Sequence, residues 1–304
     1  MSAAPLSSSS MMTAGPAPRR NTWLRVAWRV VRRKPGRMIG FGIVVFYILM
    51  ATVGPLLYPR FLPMNPSDIY AGPSLAHPLG TDFQGTDVLS EIVTGSTYVL
   101  EAAFLASLFH MVIGAGFGLL AGYRRGFTDS VVMRVADFIL TVPTFPLLVV
   151  LSTVWDFGNP LSMGLVLGLT GFGGLARSVR SQTLSIRERG YIESAKAFGL
   201  SDSHIVLREI LPNVAPYIGM NFLTSFNGNI YAQVGLFFLG VVPFAVNNWG
   251  VMMNLAFFQA GAIYTPSSLM YLISPMAAIL LLTFGVVLFL DAVDEMLNPR
   301  LREV

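Results

Sequence analysis

The chain has no cysteine, only two lysines and few charges of either sign: charged residues make up 12% of its 304 positions. The missing cysteine excludes disulfides and thiolate metal sites and leaves the compartment open. Neither lysine, Lys34 or Lys196, sits in a G-x-x-x-x-G-K-[ST] loop, so the chain has no phosphate cradle of its own for ATP. His77, His110 and His204 lie far apart, without ligand spacing. With neither a nucleophile–base constellation nor a metal cluster in the sequence, an enzyme is not expected, and no metal site is assigned. Residues 1–18 carry no charged side chain and no short apolar core. They read as the bulk of a disordered tail over 1–21 rather than as a signal peptide.

What is abundant is apolar surface: 54% of the residues are hydrophobic and the mean hydropathy is +0.63. That composition predicts an all-α integral membrane protein. Six apolar runs, near 38–58, 99–122, 131–155, 160–176, 213–242 and 269–290, approach the ~20 helical residues that a bilayer requires. If the first run starts in the cytoplasm, nineteen of the twenty Lys and Arg residues fall on that side, and Arg60 alone lies outside. The asymmetry supports six spans with both termini cytoplasmic. In residues 22–36, Trp23, Ala27, Val30 and Val31 line one helical face and Arg25, Arg29, Arg32 and Arg33 crowd the rest. This reads as an interfacial amphipathic helix; a plain basic flank is the alternative. The external segment 59–98, rich in Gly, Pro, Asp and Ser, is expected to be ordered loop and short helix.

One cytoplasmic stretch, 188–211, looks soluble. Residues 188–198 read as a short helix, Gly199 as its left-handed stop, and Ser201 as the cap of a second helix with Asp202 in its first turn. That second helix is expected to run into Pro212, where the fifth apolar run begins. Ile192, Ala195 and Phe198/Gly199 share a face of the first helix. This thin hairpin suits either a partner's groove or folding back on its own bundle.

Asn221, Ser225, Asn229 and Gln233 recur every four residues in the fifth run and form a slanting polar stripe. A lining of the translocation pathway and hydrogen bonding between helices both explain it. Asp137 is the carboxylate read as closest to the membrane interior, with Arg134 or Arg177 as partner. Pro143 and Pro146 predict an irregular third span. Asp82 and Asp87 stand on the outer side, either as contacts for another protein or as loop caps.

Several motifs occur in order. They are His77-Pro78-Leu79-Gly80-Thr81-Asp82 with Gly85 and Asp87-Val88-Leu89-Ser90; Ala121-Gly122-Tyr123-Arg124-Arg125; Glu193-Ser194-Ala195 with Gly199; Glu209-Ile210-Leu211-Pro212; Phe238-Leu239-Gly240; Trp249-Gly250; and Leu297-Asn298-Pro299-Arg300-Leu301-Arg302 after Asp291. Over residues 22–304 the chain resembles the permease subunits of binding-protein-dependent ABC importers, in particular the C-like subunit of the dipeptide/oligopeptide type. It departs from that pattern at Thr86 and Glu91, where arginines are usual, and at Gln233, where an acidic residue is common.

The resemblance implies a type I ABC importer permease fold over 37–304, in the cell membrane of a prokaryote. The hairpin would be a coupling helix seated in an ATPase cleft, with Glu193, Ser194, Ala195, Lys196, Phe198, Gly199, Leu211 and Pro212 as coupling residues. Implied partners are a homologous B-like permease, two ATPases that bind ATP and Mg, an extracytoplasmic solute-binding protein and the lipid bilayer; no nucleic acid is expected. Asp82 and Asp87 would face the binding protein. The cargo would be short peptides or oligosaccharides. The competing class is an ion-gradient-driven secondary transporter, which needs ionisable groups within the membrane.

Overall fold

The computed structural model describes residues 30–58, 64–244 and 246–297. The expected tail 1–21, most of the helix 22–36 and the terminal Asn298–Arg302 motif lie outside these residues. Within them residues 30–33 are helical, and the backbone then breaks at Lys34 in extended geometry. The rest is helix and loop apart from one isolated bridge, Thr81 to Asp87.

α1 (Pro35–Leu57) opens on a proline whose missing N–H costs nothing at a helix start. It packs along α10 (Leu269–Leu297). A Cβ on Gly40 would stand 2.6 Å from that of Leu288, so only glycine permits this approach. The Tyr47 hydroxyl donates to the Ala278 carbonyl at 2.7 Å. At one end the pair is locked by Arg37, buried, and Arg33, both donating to Glu295.

α2 (Val88–Arg124) is the axis of the bundle and starts well before the expected position near 99. The Asp87 side chain caps it, accepting from Ser90 N at 2.9 Å. Three glycines one turn apart, Gly114, Gly118 and Gly122, face α6 (Gly173–Arg187). A Cβ on Gly118 would lie 2.6 Å from the Ala176 carbonyl, and one on Gly122 would lie 2.6 Å from Thr183 Cβ. From the other side, Gly164 of α5 (Pro160–Gly171) packs on Leu105 of α2. Small-residue contact of this kind associates helices where lipid offers no hydrophobic drive.

The third run is not one helix. α3 (Gly126–Thr141) and α4 (Thr144–Ser152) meet at 86°. Val142 is extended because Pro143 excludes helical geometry from the residue before it. The fifth run became α8 (Leu211–Phe238), and the following loop carries the short α9 (Trp249–Asn254). Trp249 is fully buried, donates to the Ile92 carbonyl at 3.0 Å and stacks edge-on against Tyr47.

By length and composition α1, α2 and the last helix can each cross a membrane, and the bent α3–α4 pair makes a fourth. α5 has 12 residues. α8 has 28 but is diluted by asparagines, so the expected count of six does not emerge from apolar length alone.

The glycine contacts make an opposite-sign prediction. Gly118→Ala and Gly122→Ala should destabilise by about 1–3 kcal/mol through overpacking. Gly116→Ala, with nothing within 4 Å of its Cβ position, should be neutral or stabilising by up to about 1 kcal/mol. Thermal unfolding in detergent reads the difference.

Candidate functional site

The hairpin forms as α7 (Gly190–Ala197), a tight turn, and a second limb beginning at Asp202. Gly199 takes φ +76°. Leu200 N donates to the Ala195 carbonyl at 3.2 Å and Gly199 N to Lys196 at 2.9 Å. That pair of bonds is the Schellman closure, which satisfies the last carbonyls and needs the left-handed residue that glycine supplies without strain. Ser201 then caps the second limb, its hydroxyl oxygen accepting from His204 N at 3.3 Å.

The second limb does not stop at Pro212. Ile205–Ile210 forms a π turn, with Leu211 N donating five residues back to Val206, and the helix continues into α8. Proline has no N–H and crowds the carbonyl four residues before it; widening the turn relieves both problems. The hairpin is therefore continuous in backbone with a long helix of the bundle.

The inner face is anchored. Ile192, Ile205, Ile210 and Val214 are fully buried and cluster with Leu119 and Tyr123 of α2 and with Leu175, Val179 and Ile186 of α6. Tyr123 ties the two limbs together. Its hydroxyl donates to Asp202 at 2.6 Å, and Arg187 and Lys196 stand over its ring at 5.6 and 5.4 Å from the centroid. Arg125 bridges to Glu188 at 2.6 Å, and Asn213 Nδ2 donates to the Glu209 carbonyl at 2.6 Å.

The outer face is open. Glu193, Ser194, Lys196, Gly199 and Pro212 are exposed, and Phe198 is 85% exposed. The expected common face of Ile192, Ala195 and Phe198 is corrected here. α7 ends at Ala197, so Phe198 swings out with the turn while Ile192 and Ala195 stay in. Ala195 and Leu211 belong to the inner side, Ala195 within the buried cluster and Leu211 packed against it. Folding back on the bundle describes the inner face, and the outer face is uncovered.

The polar stripe divides. Gln233 is fully buried and donates to the Val99 carbonyl at 2.9 Å. Asn229 donates to Ser107 Oγ at 3.0 Å. Both join α8 to α2, so for these two the interhelical reading holds in place of a pathway lining; the stripe's slant carries its far end into the helix contact. Asn221 donates to the Tyr217 carbonyl of its own helix, and it and Ser225 are half-buried.

Asp82 and Asp87 are also corrected as docking contacts. Asp82 is 1% exposed and its Oδ1 accepts from Gln84 N at 2.8 Å and Thr86 N at 2.6 Å. Asp87 caps α2 and meets His77 at 3.2 Å. The motif from His77 to Ser90 is a folded loop that launches α2. Burial, with the Asp82 carboxylate adding, pushes the nearby Tyr70 phenol up from its usual range. Asp137 pairs with Arg177, one of the two expected partners.

Sequence reasoning missed two features. Tyr123 was visible only as part of a motif; an aromatic closing a helix beside Arg124 was its signal. Glu101 sits inside α2 with its side chain exposed, so Asp137 is not the sole carboxylate at membrane depth.

Comparison with known proteins places this geometry. Residues 114–303 match the family described as "Binding-protein-dependent transport system inner membrane component". Residues 22–76 match the "N-terminal TM domain of oligopeptide transport permease C". The chain is 34% identical over 233 residues to a dipeptide transport system permease protein of Bacillus subtilis, covering 75% of this chain and 72% of that one. It is 31% identical to a probable peptide ABC transporter permease of Sinorhizobium fredii, over 90% and 91% of the two chains. A glutathione transport system permease of Pectobacterium atrosepticum is 32% identical over 76% of this chain and 75% of its own. Among solved structures, a chain of the MetNI methionine ABC transporter, inward facing, superposes with TM-score 0.51 at 18% identity, over 67% of this chain and 96% of that one. This last likeness concerns the fold.

Tyr123→Phe removes one cross-limb hydrogen bond. It should loosen the hairpin by about 1 kcal/mol, seen as faster amide exchange across 196–206 with the unfolding midpoint of the bundle little changed.

Proposed function

The chain belongs to the family of binding-protein-dependent transport system inner membrane components, and from that premise we propose that it is the C-like permease of an ABC importer of short peptides. Peptide and glutathione systems name the relatives, which favours peptides over oligosaccharides as cargo. Six crossings are assigned as α1, α2, the bent α3–α4 pair, α5 with α6, α8 and α10. The termini are cytoplasmic by the positive-inside rule.

The observation that carries the mechanism is the hairpin's division into a pinned inner face and an open outer one. Ile192 and Ala195 hold α7 to the bundle, while Glu193, Lys196 and the protruding Phe198 remain for a partner. An exposed aromatic in the turn after a short helix that carries Glu193 and Lys196 suits a cleft in a second protein. We assign that cleft to an ATPase subunit. Two such subunits bind ATP and Mg; a B-like permease completes the pathway, and an extracytoplasmic solute-binding protein delivers cargo. Closure of the ATPases draws the coupling hairpins together. Because the second limb runs unbroken into α8, that displacement reaches the middle of the bundle without crossing a loop. Asn221 and Ser225 remain as pathway lining.

The reading is tested by co-purification and uptake. Phe198→Ala and Glu193→Arg should each weaken ATPase association about tenfold and abolish uptake, while the chain still inserts. Gly199→Trp should do the same by disrupting the turn. Undiminished ATPase association in both Phe198→Ala and Glu193→Arg overturns the docking assignment.

A further inference from the structure

The two ends of the bundle carry opposite charge. The start of α1, the end of α2 and the hairpin gather most of the arginines and both lysines, and Arg60 is the exception in the sequence after α1. At the other end, residues 64–98, 153–160 and 239–268 contain no Lys or Arg, and Asp68, Asp82, Asp87, Glu91 and Asp156 lie there. Contacts bring these segments together: Thr97 Oγ1 donates to the Ala51 carbonyl at 2.9 Å, the Tyr98 hydroxyl donates to the Phe157 carbonyl, and Asn247 Nδ2 donates to Thr94 Oγ1 at 2.5 Å.

A cavity of about 690 Å³ opens among them, lined by Thr94, Thr97, Tyr98, Asn159, Asn247 and Glu101. Glu101 is its one charged group, and no described residue gives it a hydrogen bond or an ion pair. The wall does not neutralise it. The donors of Thr97, Tyr98 and Asn247 are all committed to protein oxygens, so none of the three has an N–H or O–H left for Glu101. Glu101 lies about 20 Å along α2 from Val88, at 1.5 Å per residue. A bare carboxylate at that depth faces water or a cation in preference to lipid. Low-dielectric walls around charge of one sign concentrate counter-ions.

We propose that Glu101 is a cation-recognition residue at the acidic mouth of the pathway, receiving the ammonium or guanidinium group of an incoming solute. The proposal rests on the permease reading and adds to it the charge of the group that enters first. A free peptide amino terminus or a basic side chain has the chemistry that this mouth selects.

The chain's lack of cysteine supplies the experiment. Thr97→Cys places a single thiol in this chain one helical turn from Glu101, and Asn159→Cys places one on the facing wall. The whole importer is held in nanodiscs, with both faces in water. It is treated with a trimethylammonium-bearing and a sulfonate-bearing methanethiosulfonate. The thiolate attacks the reagent's sulfenyl sulfur, a mixed disulfide forms and methanesulfinate leaves; mass spectrometry of this chain follows the rate. Relative to free cysteine, the cationic reagent should be favoured by about 10-fold or more. Adding Glu101→Gln should bring the preference to within about 2-fold. A preference unmoved by Glu101→Gln overturns the proposal, as does a thiol unreactive at both positions, which would mean that a partner helix or lipid seals the mouth. Failure of the permease reading shows separately, as absence of ATPases from the purified assembly.

Discussion

Backbone-to-backbone approach of α6 to α2 is the constraint on which the rest depends. Gly114, Gly118 and Gly122 remove every side chain from one stripe of the longest helix, and α6 lies in the groove that results. In lipid, burial of apolar area gives helices no reason to associate, so close dispersion contact must supply the attraction. The last turn of α2 carries Tyr123, and α6 ends at Arg187 directly before the hairpin. Fixing those two helix ends against each other fixes where α7 begins and gives its inner face a floor of Leu119, Val179 and Ile186.

From that floor the construction extends in two directions. Toward the exposed side, a Schellman turn at Gly199 throws Phe198 outward while Ile192 and Ala195 stay pinned. Toward the membrane interior, the π turn at Ile205–Ile210 carries the helix past Pro212 without a break. The same proline that would end an ordinary helix here sits in a continuous strut, because one widened turn absorbs both its missing donor and its steric demand. Polar residues then serve as ties: Asn229 and Gln233 bind α8 to α2, and Asp82 and Asp87 hold the loop that starts α2. Charge also remains exposed beyond these ties, as with Glu193 on the hairpin's outer face and Glu101 in α2.

Much of the site was legible before folding was considered. Gly199 as a left-handed stop, Ser201 as a cap, the irregular path at Pro143 and Arg177 as one of two partners for Asp137 all followed from chemistry within a few residues or from simple charge matching. The readings that failed share a cause. Phe198 was placed on one face with Ile192 and Ala195 by extrapolating helical spacing one step past the true helix end. Asp82 and Asp87 stayed between partner contact and loop cap because a carboxylate in a polar loop looks free until backbone N–H groups from the same loop are seen to converge on it. Gln233 was taken as half of a two-way choice that spacing cannot resolve, since a polar stripe looks the same whether water or the Val99 carbonyl lies opposite.

The amino-acid order by itself determined a membrane-embedded helical chain, the sites of most helix starts and stops, the segregation of positive charge to one end and the existence of a hairpin near 188–211, because each of these depends on composition or on neighbours a turn away. Only the tertiary structure decided which face of each helix is covered, that the hairpin and α8 are one continuous element, and that Glu101 stands alone in an open cavity. Those outcomes depend on what packs opposite, and in this chain that is set by glycines whose significance lies in the side chains they omit.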